Sequence, residues 1–182
     1  MPSALRRQGY ASTRWPGRLE LLSVRGRDVL LDGAHNPAGA AALAQAIDDL
    51  LPWLTGGDAP PTRRPPLTVI MAVMADKDVS GIVSALAGAA ATRNAHIVCT
   101  GLDVPRSMAA SDLAAVWSNG REGRTIEAEP DLDRALDRML TEAPGPIVVA
   151  GSLYLVGAVR GRLVDDPFLV DPEAAPARAI HR

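Results

Sequence analysis

The segment that most restricts the fold is residues 67–74, Leu-Thr-Val-Ile-Met-Ala-Val-Met, apolar at every position but one. A strand with one wet face alternates. A run that is apolar on successive positions predicts a strand covered on both faces, as in a parallel sheet between helix layers. The rest of the chain repeats that theme. Residues 19–24 alternate loosely and read as a strand, and 28–31 read as a second. Only Arg25-Gly26-Arg27 separates them, too little for a parallel crossover, so they pair antiparallel. Further strands are predicted at 95–100, 125–128 and 146–150. Helices are predicted at 38–51, 78–90, 107–117, 132–142 and 153–163, the third begun by Ser107 or capped by Ser111. The expectation is an α/β fold. It is a Rossmann-like, mostly parallel sheet of about six strands with an N-terminal antiparallel hairpin, right-handed crossovers and helices on both faces.

Residues 15–164 are expected to form one domain. Residues 1–14 read as irregular, 165–182 as a flexible tail, and 52–66 as a surface loop rich in Pro, Gly, Asp and Thr. The 182 residues suffice for a real core, and with aromatics at 3% that core must be mostly aliphatic. A formal net charge of −2 gives no reason to expect nucleic acid or a membrane surface as partner. One cysteine, Cys99, excludes an internal disulfide and fits a reducing cytoplasm. No apolar run approaches the ~20 residues of a membrane span. Residues 1–14 carry arginines but no hydrophobic stretch of a secretory signal.

Chemistry gathers where strands end. Leu30-Leu31-Asp32-Gly33-Ala34-His35-Asn36-Pro37 reads strand, turn, helix, with Asn36 as cap and Pro37 in the first helical position. The turn brings a carboxylate, an imidazole and free helix-terminal N–H groups to one strand end, where open α/β sheets bind ligands. The plainer reading is a common Asp-Gly turn with His35 holding a backbone group. Met74-Ala75-Asp76-Lys77-Asp78 follows the buried run. Lys77 is the sole lysine of the chain, and it stands at a helix N-terminus, where a cation opposes the dipole. It either grips an anionic ligand or is a solvated loop lysine. Gly151-Ser152 offers backbone N–H groups and a hydroxyl to a ligand, or simply a helix cap. Thr100-Gly101-Leu102-Asp103 and Arg106 read as an ordinary loop. The sequence contains neither a P-loop nor a Gly-x-Gly-x-x-Gly fingerprint. His35, His96 and His181 are too scattered for a metal site. His96 reads as a strand residue and Cys99 as a core thiol.

Four stretches in order resemble one family: Pro16-Gly17-Arg18-Leu19-Glu20, Leu31-Asp32-Gly33-Ala34-His35-Asn36-Pro37-Ala38-Gly39, Met74-Ala75-Asp76-Lys77-Asp78, and Gly151-Ser152-Leu153-Tyr154-Leu155-Val156-Gly157. They are similar to the C-terminal domain of folylpolyglutamate synthase/dihydrofolate synthase, in the Mur ligase superfamily. The resemblance implies an ATP-dependent ligase that phosphorylates a folate or pteroate carboxylate to an acyl phosphate, which the amine of L-glutamate then attacks. It implies that Arg18 reaches ATP phosphates, that Asp32 contacts the nucleotide ribose, and that His35 lies near the glutamate site. It further implies that Lys77 and Ser152 hold the amino acid's carboxylates. The family's P-loop, Mg2+ ligands and folate pocket belong to an N-terminal half absent from these residues. The chain is therefore expected to act with that half, in cis or in trans, whether as a fragment, a split-gene product or a truncated frame. Dihydropteroate and tetrahydrofolate both stay open as substrates. A stand-alone, non-catalytic module for a nucleotide or amino acid is the alternative. The missing glycine fingerprint argues against a third reading, an NAD-binding domain.

Overall fold

The computed structural model describes residues 15–55, 65–119 and 123–165. Its strands are β1 (Glu20–Val24), β2 (Arg27–Asp32), β3 (Thr68–Met71), β4 (His96–Cys99), β5 (Thr125–Ala128) and β6 (Ile147–Ala150). Its α-helices are α1 (Pro37–Leu54), α2 (Val79–Ala87), α3 (Ala110–Ser118), α4 (Leu132–Glu142) and α5 (Leu153–Leu163). The strands make one sheet in the order β1-β2-β6-β3-β4-β5. β1 and β2 form the expected hairpin, turned by Arg25 (φ 52°) and Gly26 (φ 75°). Two successive positive φ values match the right-handed twist of paired strands. Every other pairing is parallel, and Met71 lies opposite both Cys99 and Ala150.

Side-chain alternation along the central strands builds two cores. Leu30, Val69, Met71, Ile97, Cys99, Val148 and Ala150 pack with α1, α2 and α3. Val29, Leu31, Ile70, Val98, Ile147 and Val149 pack with α4 and α5 on the other face. Burial on both sides is what the apolar run demanded. The indole N–H of the buried Trp117 donates to Met71 Sδ at 3.3 Å, so the largest core side chain leaves no polar atom stranded. At the far end of the sheet, Arg27 donates to the carbonyls of Leu140 (2.6 Å), Thr141 (2.7 Å) and Ala143, closing the last turn of α4.

Several element boundaries differ from expectation, each for a local reason. α1 runs through Pro52 to Leu54 rather than stopping at residue 51. Pro52 falls in the last turns, where its missing N–H removes only one bond, and Thr55 closes the end by donating from N and Oγ1 to Leu51 O. Residues 56–64 of the expected loop lie outside the described residues. The run 67–74 pairs only from Thr68 to Met71, because its neighbours end at Cys99 and Ala150. Beyond Met71 it stays buried, and Met74 bridges once to Ser107. α2 begins after Asp78, whose Oδ1 accepts from Gly81 N (2.8 Å), and ends at Ala87. A 3-10 turn, Ala90–Thr92, follows, its N–H groups received by Asp48. Neither Ser107 nor Ser111 caps α3. Its N-cap is Ala109, with no side-chain bond, while Ser107 Oγ accepts from Leu102 N at 3.0 Å. Residues 1–14 and 166–182 lie outside the described residues.

Candidate functional site

The helix leaving β6 goes to one face of the sheet, and those leaving its neighbours β2 and β3 go to the other. The loops leaving these strands therefore meet above the carboxyl end of β6, at a switch point of the kind where doubly wound sheets bind ligands. Three loops surround it. Gly151-Ser152 sits at its centre, with residues 33–36 and 72–78 on either side. Gly151 (φ 108°) is needed there, because a Cβ would lie 2.6 Å from Ala72 O.

The turn before β1 is fastened onto this rim. Asp32 Oδ2 accepts from Leu19 N and Oδ1 from Ala34 N, both at 2.9 Å. Gly33 N donates to Gly17 O at 2.9 Å. Gly17 N donates to Glu20 Oε2 (2.8 Å), and Arg160 of α5 donates to the same carboxylate at 2.9 Å. Gly17 is required by its positive φ, while a Cβ at Gly33 would displace the flexible end of the exposed Leu153 side chain. A Cβ on Gly17 (φ 71°) would lie 2.6 Å from Val156 Cγ1, and one on Gly33 would lie 2.2 Å from Leu153 Cδ2. The exposed Arg18 is thereby held beside Asp32, its guanidinium 5.9 Å from the centre of the Trp15 ring.

His35 Nδ1 lies 2.8 Å from Gly33 O. A carbonyl only accepts, so Nδ1 carries the proton and Nε2 is the acceptor of the neutral ring. Asn36 Oδ1 accepts from Gly39 N (2.8 Å), as its place before Pro37 predicts. Ser152 is buried, and its Oγ accepts from Tyr154 N at 3.1 Å, so the cap reading of Ser152 holds whatever else it does.

The structure thus joins Arg18's turn, Asp32, His35 and the start of α5 through direct contacts. Lys77 stands on the next loop, without a bond to those four. Its Nζ lies 3.8 Å from Asp76 Oδ2, and Arg106 Nη1 reaches the same oxygen at 3.0 Å. The tie from Arg106 escaped sequence reading, as did that between Glu20 and Arg160. Both span residues far apart in the chain, and no local pattern marks them. The site is an open rim. Among the described residues the best-formed cavities lie elsewhere, one of about 660 Å3 between residues 101–104, the start of α4 and Arg162, and none of these is lined by the five candidate residues. Among the described residues no three His, Cys, Asp or Glu side chains are grouped to hold a metal ion, and no helix is long and apolar enough to cross a membrane.

Residues 17–153 match the family described as Mur ligase, glutamate ligase domain. The folylpolyglutamate synthase of Lacticaseibacillus casei is 34% identical over 159 residues, covering 87% of this chain and 32% of that protein. The dihydrofolate synthase/folylpolyglutamate synthase of Mycobacterium tuberculosis is 32% identical over 177 residues, covering 88% and 33%. The crystal structure of Mycobacterium tuberculosis folylpolyglutamate synthase complexed with ADP and AMPPCP superposes with a TM-score of 0.68 at 28% identity, covering 92% of this chain and 36% of that one. The chain belongs to the Mur ligase glutamate ligase domain family, as the C-terminal domain found in folylpolyglutamate and dihydrofolate synthases. It spans about one third of the length of these relatives.

Proposed function

We propose that this chain is the glutamate-binding, nucleotide-closing part of an ATP-dependent folate ligase. That ligase adds L-glutamate to a carboxylate of a folate or dihydropteroate. The observation that carries the reading is the pairing of Arg18's turn with Asp32 at the sheet rim, within a segment matching the glutamate ligase family.

Each candidate residue has chemistry suited to its part. Arg18 presents an exposed guanidinium, the group best shaped for phosphate oxygens. Asp32 accepts two backbone N–H groups, and a carboxylate has further lone pairs for ribose hydroxyls. His35 Nε2 can accept from the ammonium of glutamate, while Lys77 and Ser152 serve its carboxylates. The P-loop half, in cis or in trans, brings ATP and Mg2+. With ATP bound, the substrate carboxylate becomes an acyl phosphate with release of ADP. The glutamate amine then displaces phosphate to form the amide. The residues of this chain orient the partners and balance charge, and none needs to become covalently attached. The single cysteine, buried and reduced, suits a cytoplasmic setting.

The test combines the chain with an N-terminal P-loop half and measures ATP- and L-glutamate-dependent lengthening of tetrahydrofolate, and conversion of dihydropteroate. Turnover that needs both parts is the expected result. Binding of nucleotide or glutamate by the assembled pair without turnover would instead identify a non-catalytic binding module.

A further inference from the structure

Lys77 and Arg106 converge on one oxygen of Asp76, at 3.8 and 3.0 Å. The side chains involved are substantially exposed, Arg106 most of all at 60%. Exposed ion pairs contribute about 0–1 kcal/mol, so stability alone does not explain two cations on one carboxylate. The distances differ in kind. Arg106 makes a charge-assisted hydrogen bond, while Lys77 stays beyond hydrogen-bond length. The other carboxylate of this loop, Asp78, is occupied as the cap of α2.

Arg106 is also well placed to hold that arrangement. Its carbonyl accepts from Ala75 N at 2.8 Å, Met108 N donates to Val73 O at 2.9 Å, and Met74 bridges to Ser107. These backbone bonds bind the loop after β3 to the loop after β4 without using the Arg106 side chain. The guanidinium is therefore free of any structural task in that seam and is spent on Asp76.

We propose that Arg106 is a positioning residue for the amino-acid site: by occupying Asp76 it keeps that carboxylate from closing on Lys77, so the ammonium remains available to a carboxylate of the incoming substrate. The inference rests on the reading of Lys77 as a glutamate contact. Without Arg106, Asp76 and Lys77 are adjacent unlike charges with no competitor. The ion pair, 3.8 Å long with Arg106 present, can then close to hydrogen-bond length, and the substrate must break it to bind.

Because Lys77 is the only lysine, amine acetylation followed by mass spectrometry of its peptide reports this one ammonium in the chain as it stands. In Arg106→Ala, acetylation of Lys77 should slow about threefold or more, because a neighbouring cation is gone and the Asp76 carboxylate, 3.8 Å away, loses its competitor and can close on the ammonium. Adding Asp76→Asn should restore the rate, and Arg106→Lys should preserve most of it. In the ligase assembled with its P-loop half, Arg106→Ala should raise KM for L-glutamate about tenfold with kcat nearly unchanged, and Asp76→Asn should again rescue it. The proposal is overturned if Arg106→Ala leaves either readout unchanged, or if Asp76→Asn fails to rescue them. Lys77→Ala separates the two levels. If it leaves the glutamate KM unchanged, the assignment of Lys77 falls, and the Arg106 proposal falls with it. If it raises KM while Arg106→Ala does not, only the role of Arg106 is lost.

Discussion

Asp32 shows why a carboxylate at a strand end must be judged by what it already holds. Its two oxygens receive Leu19 N and Ala34 N, so it fastens the Arg18 turn whether or not a ligand is present. Asp32→Ala should therefore lower stability by about 1–3 kcal/mol in urea unfolding, since two backbone donors lose a charged acceptor at a half-exposed site. Arg18→Ala should behave differently. Its side chain is exposed against Trp15, so stability should stay within about 0.5 kcal/mol. Turnover in the assembled ligase should nevertheless fall on the order of a hundredfold, the usual scale for removing a preorganised phosphate donor. The two variants together separate scaffold from chemistry. Cys99 makes a third case. Burial, with the Glu127 carboxylate adding to it, pushes its thiol from 9.0 up to about 12. An unfolded thiol ionises near the lower value and the folded one does not. The thiol's contribution is therefore whole below about pH 9 and is lost as pH rises toward 12. Stability measured between pH 9 and 10.5 should fall less steeply in Cys99→Ala, and the native thiol should resist a disulfide reagent that modifies the unfolded chain.

At the scale of elements, glycines sharing a chain neighbourhood divide by surroundings. Gly151 combines φ 108° with a carbonyl 2.6 Å from where its Cβ would sit, whereas Gly157, inside α5, has nothing within 4 Å. Gly151→Ala should cost more than about 2 kcal/mol, and Gly157→Ala should stabilise by about 0.5–1 kcal/mol through helix propensity; thermal melting of the two variants checks both. The sequence carried the β2–α1 corner well, because an apolar run, an Asx cap and a proline in the first helical turn are local signals that agree. It misplaced the start of α3 because Ser107 and Ser111 look like caps. Ser107 is in fact engaged by Leu102, and α3 starts without a side-chain cap. It shortened α1 because a proline read alone means an ending, although near a C-terminus the lost bond is one of the last.

For the whole molecule, the strand order decides what the loops can do together. Sequence spacing predicted parallel units, but not that the last strand would insert between β2 and β3 and bring Ser152 between the Asp32 and Lys77 loops. The Glu20–Arg160 pair, which joins the first strand to the last helix, is largely buried and accepts a further N–H from Gly17. Glu20→Gln should cost about 1–3 kcal/mol in urea unfolding, because it removes a charged acceptor shared by Gly17 N and Arg160 at a largely buried site. The same pair has a mechanical result. α5 is capped by Ser152 and, one and two turns on, grips the segment bearing Arg18 through Val156 and Arg160. A tilt of that single rod displaces the residue proposed for phosphate and the residue proposed for the amino acid as one piece, so closing against a second body would deliver both reactant ends in a single stroke.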